Sequence, residues 1–341
     1  MQDPSVTPLL AIETSCDETS AAVIGDGGVV LACVVRSQVA DHAEFGGVVP
    51  ELASRRHIEW IDAVVCEALS QAGLDLTDIT AIGVTRGPGL VGCLLVGLAW
   101  AQGVALAQGV PLLGVNHLEG HLLASFIGTE APPFPFLALT VSGGHTSLVL
   151  CKDVGDYEVL GSTLDDAAGE AFDKSARLLG LPYPGGIHVD RLAQTGRNDA
   201  VALPRGMKKK PGFDFSFSGL KTAVWNHIEA EGRPEGQALN DFCASLQEAI
   251  VDALLTKTSK AARELGIQRV VATGGVAANS RLRSAFAEAA EAHGWEFHRP
   301  ELRYCTDNAG MIGYAAWLRM SRGERSPLDV DVAPGLALGG A

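Results

Sequence analysis

The chain has 341 residues, of which 47% are hydrophobic and 19% charged, and its net charge at pH 7 is −14. This apolar content suffices for one large core or two moderate ones and argues against a disordered chain. The acidic balance argues against a surface that is basic throughout, which general nucleic-acid binding would need.

The cysteines and the first residues bear on the compartment. The seven cysteines are scattered, odd in number and contain no Cys-x-x-Cys pair, which is typical of a reducing compartment. Residues 1–8 hold no basic residue and no apolar stretch of signal-peptide length. Together these features predict a cytoplasmic protein.

The first predicted strand covers residues 9–13, and a polar turn at 14–19 separates it from a second apolar run at 21–23. The same order returns at 137–150, around the turn Ser142-Gly143-Gly144-His145. The two segments align without a gap, with Leu10-Ala11-Ile12 over Leu137-Ala138-Leu139. A match at one constant offset indicates two halves of common origin.

Helices and strands alternate along the rest of the chain, which predicts α/β layers. Residues 90–116 are uncharged and long enough to span a bilayer, but glycines, glutamines and a proline favour a buried helix at 94–107 and a buried strand at 110–115. Residues 183–221 are rich in proline, glycine and basic residues and are expected to form a loop-rich insertion or mobile cover. The other predicted helices cover 51–72, 239–265 and 280–293, and the other strands 82–84 and 269–272.

The strongest local signal is His117-Leu118-Glu119-Gly120-His121. Two imidazoles four residues apart share one face of a helix and can chelate one metal ion. An ordinary histidine pair at a helix start is the alternative. A zincin would have its glutamate directly after the first histidine, where this chain has Leu118, so peptidase chemistry is disfavoured.

Several carboxylates and one further turn are candidates for the same chemistry. Asp307 opens an apolar helical run, so it is either a helix N-cap or a third metal ligand. Residues 273–279 form a glycine-rich turn between a strand and a helix, an arrangement that often faces a phosphate. Acids in other turns are either turn and cap residues or ligands of hydroxyls and metal-bound water: Asp17, Glu18, Asp173 and Asp190.

Matched blocks in constant order show that the chain resembles the bacterial form of the universal tRNA N6-adenosine threonylcarbamoyltransferase family, once described as O-sialoglycoprotein endopeptidases. No motif position departs from the family pattern. The blocks are residues 12–19, 46–51, 85–89, 117–121, 141–146, 213–221, 274–279 and 306–309.

The resemblance implies an α/β fold of the actin-like ATPase (ASKHA) type, with two lobes of related core and a nucleotide cleft between them. Residues 1–125 are expected to form the N-terminal lobe with the first phosphate hairpin and the histidine helix. Residues 126–341 are expected to form the C-terminal lobe with the second hairpin, the nucleotide turn and the third ligand, and the C-terminal helix can pack back on the first lobe.

The resemblance also implies roles for individual residues. One divalent metal, Fe2+ or Zn2+ with Fe2+ favoured, is expected on His117, His121 and Asp307, and Asp17 and Glu18 are candidate accessory acids. Substrate contacts are expected at Thr140, Val141, Ser142, Gly143, Gly144, Asp173, Gly186, Asp190 and Asn279. The candidate tRNA contacts are Arg55, Arg56, Arg205, Lys208, Lys209 and Lys210. Taken alone, each cluster is equally consistent with solvated basic residues.

The implied reaction transfers threonylcarbamoyl from threonylcarbamoyl-adenylate to N6 of the adenosine next to the anticodon, in tRNAs that read codons beginning with A, and releases AMP. Such a donor is already activated, so no covalent nucleophile is needed and no catalytic residue is assigned. The implied partners are an inactive paralogue, which forms a heterodimer, and a small P-loop ATPase.

Three other functions are compatible with parts of the sequence. A small-molecule kinase or ATPase of the same superfold is the main alternative, but it would not need two histidines four residues apart. A metallopeptidase is disfavoured by the position of Glu119. A non-catalytic scaffold, as the family's paralogue is, would lack the histidine pair.

Overall fold

The structure is a computed structural model that describes residues 6–128 and 131–339. Strands and helices alternate along it, as the sequence predicts. The strands are β1 Leu9–Glu13, β2 Glu18–Ile24, β3 Val30–Ser37, β4 Ala81–Gly87, β5 Leu112–Asn116, β6 Phe136–Val141, β7 Thr146–Asp153, β8 Asp156–Ser162, β9 Arg269–Thr273 and β10 Glu296–His298. The α-helices are α1 Val39–His42, α2 Pro50–Ala72, α3 Val91–Gln108, α4 His117–Leu123, α5 Ala168–Leu178, α6 Gly185–Ala193, α7 Ser218–Glu231, α8 Gly236–Leu265, α9 Ser280–His293 and α10 Ala309–Met320.

The strands form two five-stranded sheets with one shared topology. The first sheet has the order β3-β2-β1-β4-β5, and the second has the order β8-β7-β6-β9-β10 when read from the corresponding edge. In the first sheet β1 pairs antiparallel with β2 and parallel with β4, and in the second sheet β6 pairs antiparallel with β7 and parallel with β9. This duplication confirms the internal repeat that the aligned hairpins predict.

The chain divides into two compact units. The first comprises Met1–Ala131, Val154–Asp156 and Pro300–Ala341, and the second comprises Pro132–Asp153 and Tyr157–Arg299. The last segment therefore belongs with the first unit, where α10 packs on β1, β2 and α4.

Each unit has its own apolar core. In the first, Ile12 and Ile82 of the sheet pack with Leu98 of α3. In the second, Leu139 of the sheet packs with Phe172 of α5 and Ile250 of α8. Full burial of such a side chain stabilises a fold by about 1.5–3 kcal/mol, which explains why these positions carry the helical and strand periodicity.

Helix α3 covers most of the predicted uncharged segment. Among the described residues it is the one helix long and apolar enough to cross a membrane, by length and composition only. It packs against β4 and α2 within the first unit, and 33% of its apolar window is buried there.

Two parts of the predicted loop-rich region are helical. The expectation for residues 183–221 was wrong at α6, which begins at Gly185, and at the first turn of α7. The glycines of Pro184-Gly185-Gly186 suggested a turn, but Gly185 lies against α5, where a Cβ atom would come 2.3 Å from the Cβ of Ala176. Close packing between the two helices therefore explains the glycine.

Candidate functional site

The edge of the first sheet positions the two histidines. Strand β5 ends at Asn116, and α4 begins at the next residue. The Asn116 side-chain oxygen accepts a hydrogen bond from the backbone N–H of Leu118 at 2.9 Å, which caps the helix. Since His117 and His121 are one turn apart, their rings lie close together, with centroids 4.8 Å apart.

Asp307 meets this pair from the segment before α10. The N-cap of α10 is Asn308, whose side chain accepts from the N–H of Met311 at 2.9 Å, so Asp307 is not the cap. Its Oδ1 lies 3.1 Å from Nε2 of His121 and 3.5 Å from Nε2 of His117.

The donor set fits a divalent metal. The ligand atoms of His117, His121 and Asp307 all lie within 4.8 Å of one another. The histidines are buried, whereas the Asp307 side chain is partly exposed. Two imidazole nitrogens and one carboxylate oxygen are ligands that iron and zinc accept.

Glu13 is a site residue that the sequence reasoning missed. Its Oε2 lies 3.1 Å from Nδ1 of His117, and the Ser15 hydroxyl lies 3.2 Å from the same nitrogen. A carboxylate at Nδ1 favours the tautomer that has its hydrogen there and leaves Nε2 free for a metal. The sequence did contain one signal for it. Glu13 is the last residue of an otherwise apolar strand, and that strand ends on the same side of the sheet as β5.

The electrostatics of His117 follow from these neighbours. Burial opposes the imidazolium, but the carboxylates of Asp307 and Glu13 outweigh it and raise the pKa of His117 to about 9. Burial likewise opposes the Glu13 carboxylate, yet His117 lowers its pKa overall. A metal must therefore displace a proton from this site.

The accessory acids lie near the same centre. Glu18 accepts a hydrogen bond from the Ser37 hydroxyl at 3.1 Å. Burial, followed by the charges of Asp17 and Asp307, raises its pKa well above the ordinary value. Burial and the same acids also raise the pKa of the Cys16 thiol. Cys16 therefore stays protonated and is a poor nucleophile.

Glu119 belongs to a different interaction. It is buried, and its Oε2 accepts from Nη1 of Arg319 at 3.1 Å. The ion pair joins α4 to α10, so this glutamate does not act as the general base of a peptidase.

In the second unit, the turn between β6 and β7 presents backbone N–H groups. The N–H of Ser142 donates to the His145 carbonyl at 2.8 Å. The N–H groups of Gly143 and Gly144 have no acceptor within residues 6–128 and 131–339, and both glycines are exposed. Free N–H groups of this kind can bind a phosphate.

Helix α5 connects this turn to α6. Its Gly169 donates to the Ser142 carbonyl at 3.2 Å, and a Cβ atom at Gly169 would come 2.6 Å from that oxygen. Further along α5, Oδ1 of Asp173 accepts from the N–H groups of Gly185 and Gly186, at 2.7 and 3.3 Å. Burial nevertheless raises the pKa of Asp173.

Helix α9 and the glycine-rich turn complete the arrangement. Asp190 of α6 accepts from the backbone N–H of Ser280 at 3.1 Å, and Asn279 caps α9 through the N–H of Leu282 at 3.0 Å. Gly274 has a φ of +93°, and a Cβ atom there would lie 2.4 Å from the Val141 carbonyl. These contacts form a closed ring that includes every segment predicted to bind the substrate. One of these segments is β6, in which Thr140 is buried.

The basic residues predicted to contact tRNA differ in whether a carboxylate pairs with their charge. Arg205 and Lys208 both pair with Asp252, at 3.0 and 2.7 Å, and Arg56 pairs with Asp41 and Glu59. Three others are exposed and have no carboxylate within 4.0 Å in the described ranges: Arg55, Lys209 and Lys210.

Two sheets of one topology, with a His-His-Asp cluster in the first unit and exposed glycine turns in the second, define a two-unit α/β protein of the actin-like ATPase fold. Solved structures agree. Component A of the (R)-2-hydroxyglutaryl-CoA dehydratase of Acidaminococcus fermentans has a TM-score of 0.55 at 17% identity and covers 92% of this chain and 98% of its own. HypF of T. kodakarensis has a TM-score of 0.60 at 15% identity and covers 92% of this chain and 47% of its own.

The chain belongs to the tRNA N6-adenosine threonylcarbamoyltransferase family, whose model matches residues 29–314. A transferase of this name from Anaeromyxobacter dehalogenans (strain 2CP-C) is 56% identical, covering 96% of this chain and 99% of the relative. One from Clostridium botulinum (strain 657) is 51% identical, covering 97% and 98%.

The comparisons confirm the predicted family, fold and activity. The chain is a tRNA-modifying transferase with tRNA as its substrate, and a kinase or ATPase function is not favoured.

Proposed function

We propose that His117, His121 and Asp307 hold one divalent metal in this transferase, and that the metal is Fe2+ in preference to Zn2+. The convergence of three donor atoms within 4.8 Å carries the proposal. Two histidines and one carboxylate that leave further coordination positions open are typical of Fe2+ sites, although zinc also accepts these ligands. When bound, such a metal supplies Lewis-acid stabilisation of negative charge on substrate oxygens.

We further propose that the ring of contacts in the second unit binds the threonylcarbamoyl-adenylate. The N–H groups of Gly143 and Gly144 would donate to phosphate oxygens, and the N-terminus of α9 favours negative charge nearby. Asp173 and Asp190 have carboxylate oxygens that suit ribose hydroxyls. Asn279, which is held by Gln247 at 2.8 Å, would fix the nucleotide-facing turn.

The reaction then needs orientation more than covalent chemistry. N6 of the adenosine attacks the carbonyl carbon of the mixed anhydride, the new N–C bond forms, the C–O bond to phosphate breaks, AMP leaves with the electron pair, and one proton passes from N6 to water. Holding both substrates in place and stabilising the developing oxyanion are the main sources of rate enhancement for such a step. The raised pKa of Cys16 disfavours a thiolate nucleophile, which agrees with a reaction that needs no covalent intermediate.

The partners and location are also proposals. A heterodimer with an inactive paralogue is supported by exposed apolar residues on one side of α3, namely Val91, Leu95 and Leu106, because apolar patches commonly mark protein interfaces. A small P-loop ATPase is a second expected partner, and a cytoplasmic location suits free thiols. Sedimentation of the purified proteins together and cell fractionation test these points. Failure to associate, or recovery with membranes, would contradict them.

The metal assignment is tested by purification without oxygen, metal analysis, and mass spectrometry of the tRNA product in a reconstituted assay. We expect about one iron per chain, and loss of both the metal and the modified adenosine in His117→Ala. Activity should fall by more than about 100-fold, since loss of a residue that only orients a ligand already costs about 10–100-fold.

The matched control is His293→Ala, which removes an exposed histidine of α9 in the second unit. It should keep both the metal and the activity. Undiminished product in His117→Ala would refute the metal role. Full metal content in that variant would refute the ligand assignment.

A further inference from the structure

Helices α5 and α7 of the second unit form a groove with an unusual lining. Its volume is about 420 Å³. Four cationic side chains, Lys174, Arg177, Lys221 and Arg233, line it together with Trp225. The sequence does not group these residues, because they are spread over about sixty positions and form no basic run, although Lys221 ends one of the matched blocks.

Most of this positive charge is uncompensated. Lys174 pairs with Asp166 and Glu170, at 2.7 and 2.8 Å. For Arg177, Lys221 and Arg233, no carboxylate lies within 4.0 Å in the part of the chain that the structure describes. The groove thus contrasts with the predicted basic residues Arg205 and Lys208, whose charges are paired with Asp252. In a chain of net charge −14, three neighbouring free cations favour an anionic ligand.

Arg233 is held in place rather than free in solvent. Its Nε donates to the Leu178 carbonyl at 3.2 Å, at the end of α5. Its guanidinium passes over Gly180, where φ is +77° and a Cβ atom would come 2.9 Å from Nη1. A fixed guanidinium loses less conformational entropy when it binds a phosphate.

Trp225 gives the groove a flat apolar surface. It lies one helical turn after Lys221 on α7 and is 52% exposed. Leu178 and Ile228 form the apolar floor beside it. An exposed aromatic ring among free cations is the combination on which single-stranded nucleotides bind, with the base stacked on the ring and the phosphates on the cations.

We propose that this groove binds unpaired nucleotides of the tRNA substrate, in its anticodon arm. The inference rests on the proposed function, in which the second unit binds the adenylate. Arg177 lies one helical turn after Asp173 on α5, so the groove begins beside a residue assigned to the adenylate. An RNA strand seated there would bring the acceptor nucleotide to the same unit as the donor.

The experiment compares Trp225→Ala, Trp225→Phe and the double variant Arg177→Ala/Lys221→Ala. An anticodon stem-loop RNA is titrated against the full chain, and the Michaelis constants for tRNA and for threonylcarbamoyl-adenylate are measured in the reconstituted system. Trp225→Ala should weaken RNA binding about tenfold, because one stacked base is no longer supported, and Trp225→Phe should largely restore it. The double variant should make the slope of log affinity against log salt concentration shallower, by about one for each phosphate that is no longer neutralised.

Controls separate this role from a structural one. Arg263→Ala removes an exposed arginine of α8 outside the groove, which has no carboxylate within 4.0 Å among the described residues, and should leave binding unchanged. The Michaelis constant for the adenylate should stay constant in all variants. Three results would overturn the proposal. The unmodified chain could fail to bind the stem-loop, Trp225→Ala could bind it with unaltered affinity, or the loss in the variants could come only from poorer association with a partner protein.

Failure of the proposed function would look different. The unmodified chain would then bind the stem-loop through the groove but form no modified adenosine. Normal product formation together with unaltered RNA binding in the groove variants would overturn the groove alone.

Discussion

His117 has a different partner at each ring nitrogen. Nδ1 faces Glu13 and Ser15, whereas Nε2 faces Asp307. This arrangement is typical of metal-ligating histidines, in which a carboxylate behind the ring fixes the tautomer and increases the basicity of the ligand nitrogen. Glu13 is fully buried, so its charge acts on the imidazole with little screening by solvent.

Replacing Glu13 with Gln should therefore weaken metal binding without removing a ligand. An amide has nearly the same shape but no charge, and it can present an N–H to the ring instead of an acceptor. We expect the affinity for Fe2+ or Zn2+ to fall about 10–100-fold, measured by competition with a chelator. Glu67→Gln, at an exposed position of α2, is the control. Equal affinity in the Glu13 and Glu67 variants would mean that Glu13 does not support the metal.

Sequence separation decided which site residues could be predicted. The histidine pair could be predicted from the sequence, because two residues spaced four apart lie on the same face of a helix. Asp307 is 186 positions from its contact His121, and only the family resemblance joined them. Glu13 is 104 positions from His117 and was missed, because their contact depends on how β1, β4 and β5 pair.

At the scale of elements, Asp165 fixes the start of α7. One oxygen accepts from the backbone N–H groups of Phe217 and Ser218, at 2.8 and 3.2 Å. The other accepts from the hydroxyls of Ser216 and Ser218, at 2.6 and 2.7 Å. An anion at a helix N-terminus is also favoured by the helix dipole. The carboxylate thus joins the segment after β8 to the helix that carries Lys221 and Trp225.

This junction predicts a pH-dependent stability. Desolvation opposes the charged form, but the four donors outweigh it and lower the pKa of Asp165 below its ordinary 3.8. A carboxylate whose pKa is lower in the folded state contributes stability above the unfolded value, and this contribution disappears as pH falls through the folded value. Asp165→Asn should therefore melt at a lower temperature than the unmodified chain at neutral pH.

The difference in melting temperature between Asp165→Asn and the unmodified chain should shrink once the pH falls below about 3.8, the ordinary pKa of the group. Melting curves followed by circular dichroism across this range provide the measurement. Asp199→Asn, at an exposed carboxylate with no such donors among the described residues, should show no pH-dependent difference. A constant difference for Asp165→Asn at every pH would mean that its effect is steric.

Element boundaries were predictable where periodicity was strong. The helix at 280–293 coincides with α9 and the strand at 9–13 with β1, because an asparagine cap marks the first and a run of apolar residues the second. Helix α6 was missed because Gly185 serves close packing on α5, and glycine in a sequence usually indicates a turn. The groove between α5 and α7 was not predictable, because its cations come from two helices and the loop after α7.

For the whole molecule, the repeat of β1–β2 at β6–β7 indicated two related halves, but the strand order required the structure. Each sheet needs a strand added parallel to its first strand from a distant part of the chain, β4 in one case and β9 in the other. The return of Pro300–Ala341 to the first unit is equally non-local, and only the family resemblance indicated that the C-terminal helix packs back on the first lobe. It brings Asp307 from near the end of the chain to the histidines of α4.

The proposed metal would therefore connect two distant segments within one unit. α4 and α10 are already joined by Glu119 and Arg319, and a metal on His117, His121 and Asp307 would add a link between α4 and the segment before α10. A ligand that binds only the folded state stabilises it by about 2.7 kcal/mol at about a hundred times its dissociation constant. Because all three ligands lie in the first unit, we expect this stabilisation to act there.

Hydrogen exchange measured with and without added Fe2+ tests this expectation. Amides of α4, β5 and α10 should exchange more slowly with the metal, whereas amides of α8 and β9 in the second unit should change little. His121→Ala should abolish the effect, and His293→Ala should preserve it. Equal protection of both units would mean that the metal stabilises a single cooperative structure, and unchanged exchange in α4 would contradict the ligand assignment, since the bound metal must hold that helix against the segment that carries Asp307.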